Sequence, residues 1–191
     1  MRRRQAMWGI SGLIGGVLLS YTGYRWFRLT SSPDFQYLLS NKKLVETLTD
    51  IIIPKTDSPS ASESHVHEFV IKMIMECSDS KTQNNFLNGL TNVEKQSQSM
   101  FNKSLVNCSM EEKHELMQRL SDSDKHSSVL IGKINKRIFG KSFFMSLKEY
   151  TVIGYFTSEQ GATQALRYSL VPSKYEGCKP YQPNEKAWAT F

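Results

Sequence analysis

Hydrophobic positions recur at spacings of three and four along most of the chain, the mark of amphipathic helices. From Lys42, the residues Leu44, Val45, Leu48, Ile51 and Ile52 keep that period until Pro54, whose missing N–H and fixed φ end a helix. The run PKTDSPSASES that follows is a loop of turn formers. A second helix is predicted from about His65 to Cys77, with Val66, Phe69, Val70, Met73 and Ile74 on one stripe. A third is predicted from about Lys81 to Val106, carrying Phe86, Leu87, Leu90, Val93, Met100, Phe101 and Leu105. Ser109 followed by Glu112 is a capping-box signature, and the helix it opens carries Leu116 and Leu120. A polar stretch, 121–128, leads to a further segment with Val129, Ile131, Ile134 and Ile138, broken at Gly140. The last long helix is predicted over 143–157, and Ser158 caps a short one over about 159–168 that Pro172 ends. No alternating strand pattern of any length is present, and EYTVIGYF, the one β-prone run, sits inside a helical period. The expected fold is all-α: a single compact helical domain of about six helices at 42–191, behind a linker at 29–41.

Residues 1–28 break this globular pattern. Three arginines open the chain, and Ala6 to Tyr24 are 19 consecutive uncharged residues. At about 1.5 Å rise per residue such a run is long enough to cross the hydrocarbon core of a bilayer. Arg25 and Arg28 close it, with Tyr21, Tyr24, Trp26 and Phe27 placed as an interfacial aromatic belt. Two readings compete, a removed secretory signal and an uncleaved signal-anchor helix. A cleavage site shows small residues in an A-x-A-like pattern, and Ser-Tyr-Thr-Gly-Tyr-Arg after Leu19 matches it poorly, which favours the anchor. Arg3 and Arg4 form a twin-arginine pair ahead of the apolar run, the mark of bacterial export of folded proteins. The body is then expected on the outer face.

The formal charge of +6 hints at nucleic acid, but its distribution removes the hint. Five basic residues precede residue 29, leaving 19 basic against 18 acidic groups in the body. That is no electrostatic footprint for phosphate binding. His65 and His67 are two apart, which on a helix points them to different faces, and no acidic or sulfur ligand supports them. There is no G-x-S-x-G and no G-x-G-x-x-G. Neither catalytic, cofactor-binding nor metal-ligating residues are assigned. None of Cys77, Cys108 and Cys178 makes a C-x-x-C pair.

The segment GYFTSEQGATQALRY, 154–168, combines aromatics, two glycines and Ser158. It reads either as helix, turn, helix with core aromatics, or as a docking surface, since exposed Tyr, Phe and Arg suit interface cores. DIIIPKTDSPSA (Asp50 to Ala61) with VHEFV (Val66 to Val70) resembles the opening of the gluconate 2-dehydrogenase subunit 3 family. GYFTSEQGATQALRYSLVPSKYEGCKP and the late AWA (Ala187 to Ala189) resemble its C-terminal block. Ser60 and Ser173 depart from the family, which usually has glycine in TPGA and VPG.

The resemblance implies a small, noncatalytic subunit of a membrane-bound, FAD-dependent sugar or polyol dehydrogenase on the periplasmic face of the bacterial inner membrane. FAD is then expected in the large subunit, a cytochrome c subunit or similar carrier often takes the electrons, and this chain helps the large subunit mature and leave the cytoplasm. The expected interface is Tyr155, Phe156, Ser158, Glu159, Tyr168, Pro172, Tyr175, Cys178 and Trp188. Cys178, in the proline-bounded KYEGCKP, is the candidate for a disulfide to the large subunit, because export to an oxidising compartment favours bridging. Cys77 and Cys108 are expected to pair with each other or to stay buried. The alternative is a stand-alone, membrane-anchored helical envelope protein with a structural role.

Overall fold

The computed structural model describes residues 27–125 and 137–169, together with Gly23, Val171, Cys178, Pro180, Pro183 and residues 185–189. Arg3, Arg4 and nearly all of the apolar leader lie outside the described residues, as do Val129, Ile131 and Ile134. Among the described residues the protein is all-α and no strand forms. The elements are α1 (Phe35–Ser40), α2 (Lys42–Ile52), α3 (Val66–Cys77), α4 (Ser80–Phe101), a 3-10 turn (Leu105–Asn107), α5 (Met110–Lys125), α6 (Phe143–Thr157) and a π-helical turn (Gly161–Ala165). Among these described residues no helix is long and apolar enough to cross a membrane.

Local chemistry explains the starts of these helices. Asp34, Asp79 and Ser142 cap α1, α4 and α6, each accepting a backbone N–H three residues on, which satisfies an otherwise orphaned donor. The predicted capping box is present: Ser109 N–H donates to Glu112 Oε2 at 2.7 Å, and Glu112 N–H to Ser109 Oγ at 3.3 Å. That first hydrogen bond holds the Glu112 carboxyl below its ordinary range. α5 runs on to Lys125, into the polar stretch that begins at Ser121.

α6 is the hub. It packs against α2, α3, α4, α5 and the π-helical turn. On α4, a Cβ at Gly89 would lie 2.1 Å from Phe143 Cγ, so only glycine lets the start of α6 approach α4 this closely. On α6 itself, a Cβ at Gly154 would lie 2.6 Å from Phe69 Cδ1 of α3. Phe143 also meets Phe86 with ring centroids 5.1 Å apart. The core around them joins Leu48, Val70, Ile74, Leu90, Leu105, Leu116 and Leu147, all essentially inaccessible.

One expectation is corrected here. Part of the supposed linker is α1, and its Leu38 is fully buried in the core. Leu29 just before it is buried as well. A six-residue helix shows too few turns for its period to stand out, so composition alone reads the segment as polar. Leu38→Ala is therefore expected to lower stability by about 2–5 kcal/mol, as for a buried leucine. Urea unfolding of the purified chain measures this, and a change within about 0.5 kcal/mol, as for a surface position, would restore the linker reading.

Candidate functional site

Two features of α6 stand out, its outer stripe and the corner at its C-terminal end. The apolar residues of α6 are not confined to one stripe, which is the pattern of a helix buried on all sides. Yet Met145, Ile153 and Phe156 are each more than 40% exposed. They follow one another at helical spacing along one face. Phe144, Met145, Lys148, Glu149, Val152 and Ile153 form one wall of a groove of about 550 Å³, and Ser121 and Asp124 of α5 form the other. Glu149 is tied to Lys141 through both carboxylate oxygens at 2.8 Å, and this bond raises the Lys141 pKa. The result is an apolar floor with a charged rim, the anatomy of a protein interface.

The corner begins at Tyr155. Its ring is 2% exposed and its hydroxyl donates to the Pro59 carbonyl at 2.7 Å. This overturns the expectation that Tyr155 belongs to the docking surface: it points inward and pins the 53–65 loop to α6. Phe156, the next residue, faces outward, and the two rings meet edge to face at 5.3 Å. Ser158 is also spent locally, donating from Oγ to the Tyr155 carbonyl at 2.6 Å and accepting from Gly161 N–H at 3.0 Å. It thus caps the helical stretch that opens at Glu159 and runs into the π-helical turn, as the sequence predicts for a helix there. Ser64 Oγ donates to Gln160 Oε1 at 3.1 Å, a second tie between loop and corner.

The loop is itself well determined. Ser60 and Glu63 repeat the capping-box geometry: Ser60 N–H donates to Glu63 Oε2 at 3.1 Å, and Glu63 N–H to Ser60 Oγ at 3.3 Å. Asp50 Oδ1 accepts from Ser62 N–H at 2.7 Å. An ion pair from Lys55, with the Ser60 bond, holds the Glu63 carboxyl below its ordinary range. Ser60, where the resemblance leads one to expect glycine, therefore supplies a cap. It does so without a left-handed backbone, since positive φ among non-glycine residues described here falls on His65 and Asn102.

The tail returns to the corner. Arg167 and Trp188 form an isolated parallel bridge, with Arg167 N–H donating to the Ala187 carbonyl at 2.8 Å. The Arg167 guanidinium stacks 4.3 Å over the Trp188 ring and pairs with Glu185. Tyr168 and Trp188 keep more than 40% of their surface exposed, and Glu159 is exposed too. Pro172 and Tyr175 lie outside the described residues. Cys178 is exposed and free, Cys77 is exposed and free, and Cys108 is buried with Sγ 3.2 Å from Ser97 Oγ. Of the two alternatives expected for Cys77 and Cys108, pairing is absent, and only Cys108 stays buried. His65 and His67 have ring centroids 6.3 Å apart, and among the described residues no three His, Cys, Asp or Glu side chains are grouped to hold a metal ion.

The structure therefore keeps Phe156, Glu159, Tyr168, Trp188 and Cys178 at the surface and withdraws Tyr155 and Ser158. It adds Met145, Val152 and Ile153, which are not among the residues expected at the interface. The signal that finds them is that α6 is apolar on more faces than the other described elements cover. Because Tyr155 acts inward, Tyr155→Phe is expected to destabilise the fold by roughly 1 kcal/mol, the net contribution of one hydrogen bond. Thermal unfolding tests this; no loss would mean that the Pro59 contact does not hold the loop.

Comparison with curated proteins gave no match, and comparison with solved structures gave none. The family described as Gluconate 2-dehydrogenase subunit 3 matches residues 40–172. That span runs from the start of α2 through the corner and stops short of KYEGCKP and Trp188. With a match across about seven-tenths of its length, the chain belongs to the gluconate 2-dehydrogenase subunit 3 family, which by its name supplies a subunit of a dehydrogenase complex.

Proposed function

We propose that this protein is the noncatalytic small subunit of a membrane-bound, periplasmic, FAD-dependent sugar or polyol dehydrogenase, and that it escorts the flavoprotein subunit through maturation and export. The observation that carries this reading is the bare apolar stripe of α6, Met145, Ile153 and Phe156, on a helix otherwise enclosed. Burying such a stripe against a folded partner yields binding energy without any chemistry in this chain. The exposed Tyr168 and the Arg167–Trp188 stack extend the surface round the corner. In this reading FAD belongs to the partner, a cytochrome c subunit or similar carrier takes the electrons, and the twin-arginine pair Arg3-Arg4 directs the pair to export. The leader then holds the complex at the membrane.

Coexpression of the large subunit with and without this chain tests the escort role. Export and FAD loading are expected to fall when it is missing. Equal export and loading in both cases would leave the stand-alone envelope protein as the better account. Within the complex, Ile153→Asp together with Phe156→Asp is expected to weaken copurification of the flavoprotein by tenfold or more, on the order of one interface hot spot. Circular dichroism should stay unchanged, because both side chains face solvent; full retention of the partner would place the interface elsewhere.

Cys178 is the residue we assign to a disulfide with the large subunit, since its thiol is exposed and free within this chain. A nonreducing gel of the complex is expected to show a covalent band that Cys178→Ser removes. Persistence of the band in that variant would assign the bond to the other exposed thiol, Cys77.

A further inference from the structure

The chain is pinned to the body immediately after the leader. Residues 27–30 are helical and Leu29 is 4% exposed. Asn84 Nδ2 of α4 donates to the carbonyls of Leu29 at 3.1 Å and Ser31 at 2.8 Å. One turn further along α4, Asn88 Oδ1 accepts from the Arg28 guanidinium at 3.0 Å. The apolar run ends at Tyr24, five residue steps before Leu29. Five steps span at most about 18 Å of extended chain and about 7.5 Å of helix. If the run enters a bilayer, this part of α4 is held against the bilayer surface.

A second segment lies beside the first. Lys81 Nζ donates to the Ile138 carbonyl at 2.8 Å, and Asn85 Nδ2 to those of Phe139 at 2.7 Å and Lys141 at 3.0 Å. Lys81 and Asn85 form one row on α4, Asn84 and Asn88 the adjacent row, about 60° round the helix. The segments around Arg28 and Ile138, far apart in sequence, are thereby both tied to α4, at Asn88 and at Lys81. Phe27 is 75% exposed and Ile138 is 41% exposed, and both arginines are exposed.

The same stripe of α4 continues through Asn92, Lys95 and Ser99, all exposed, without a carboxylate. The one acid within α4, Glu94, lies on another face and accepts from Leu105 N–H. Asp79, at the helix start, is occupied as its cap. Cations with two apolar tips, next to the end of an apolar run, match an anionic bilayer interface. There the tips enter among the acyl chains and the cations meet phosphates.

We infer that this face, Phe27, Arg28, Lys95, Arg137 and Ile138 around α4, lies on anionic lipid headgroups and fixes the orientation of the body on the membrane. The inference rests on the leader being a membrane segment, and the test separates the two. The full chain carrying Cys77→Ser, Cys178→Ser and Ile138→Cys is labelled with an environment-sensitive dye; buried Cys108 is left in place. It is reconstituted into vesicles of phosphatidylcholine alone or mixed with phosphatidylglycerol, and a second preparation carries the dye at Phe156→Cys instead.

The Ile138 probe is expected to shift to the blue only in the anionic vesicles. That shift is expected to vanish at 1 M salt, where the screening length falls to about 3 Å, and in Arg28→Glu with Arg137→Glu. The Phe156 probe is expected to respond equally to both lipids. Equal emission from the Ile138 probe in neutral and anionic vesicles, or an equal charge-dependent response at Phe156, overturns the inference while leaving the anchor intact. A chain that fails to float with either vesicle overturns both. The salt arm uses the native charges, so misfolding of the double variant cannot mask the outcome.

Discussion

Two glycines fix where α6 sits, and the rest of the molecule follows from that placement. Gly89 admits the Phe143 ring to the backbone of α4, and Gly154 admits Phe69 of α3 to the backbone of α6. With both ends seated at less than ordinary side-chain spacing, α6 can neither slide nor rotate without a clash. Its inward faces carry Phe143, Leu147, Tyr150 and Tyr155. Its remaining face must then stay outward, and that face is also apolar. The bare stripe is thus a consequence of how the core is packed, because turning it inward would unseat two helix contacts.

The same placement divides labour between neighbouring residues of one motif. In GYFTSEQ, Gly154 makes a helix contact, Tyr155 binds the 53–65 loop, Phe156 is exposed and Ser158 caps the turn that follows. The loop is tied by its own bonds, the reciprocal Ser60–Glu63 pair and the Asp50 tie. Gln160 and the Arg167–Trp188 stack then connect loop, corner and tail. A partner meeting this region would find a preorganised surface, so little ordering entropy would oppose binding. In the proposed reading the groove and the corner meet a protein, and the α4 face meets a bilayer.

Helix starts, the Ser109–Glu112 capping box and the all-α character were legible in the sequence, because each depends on residues within one turn of one another. The span of α6 was read correctly from its period and its end. The family was legible too, since its motifs are contiguous. The role of α1 was not, because six residues carry too little period and the burial of Leu38 comes from neighbours distant in sequence. The cysteines were read only in part: local context kept Cys108 inside, but the exposure of Cys77 depends on what happens to pack beyond the end of α3.

What the sequence by itself determined is therefore the longer helices, the caps at Ser109 and Ser158, the apolar leader and the near-neutral body. These are local quantities, set by backbone propensity, spacing and charge. Tertiary structure alone decided which apolar residues become surface: Tyr155 inside and Phe156 outside, Ile153 bare although its helix is the hub. It also decided that the segments 28–31 and 138–141, distant in sequence, are both tied to α4, through Asn84, Asn85 and Asn88. Periodicity reports that a face is apolar, but whether that face is covered depends on the helices around it, and those are placed by contacts such as Gly89 with Phe143.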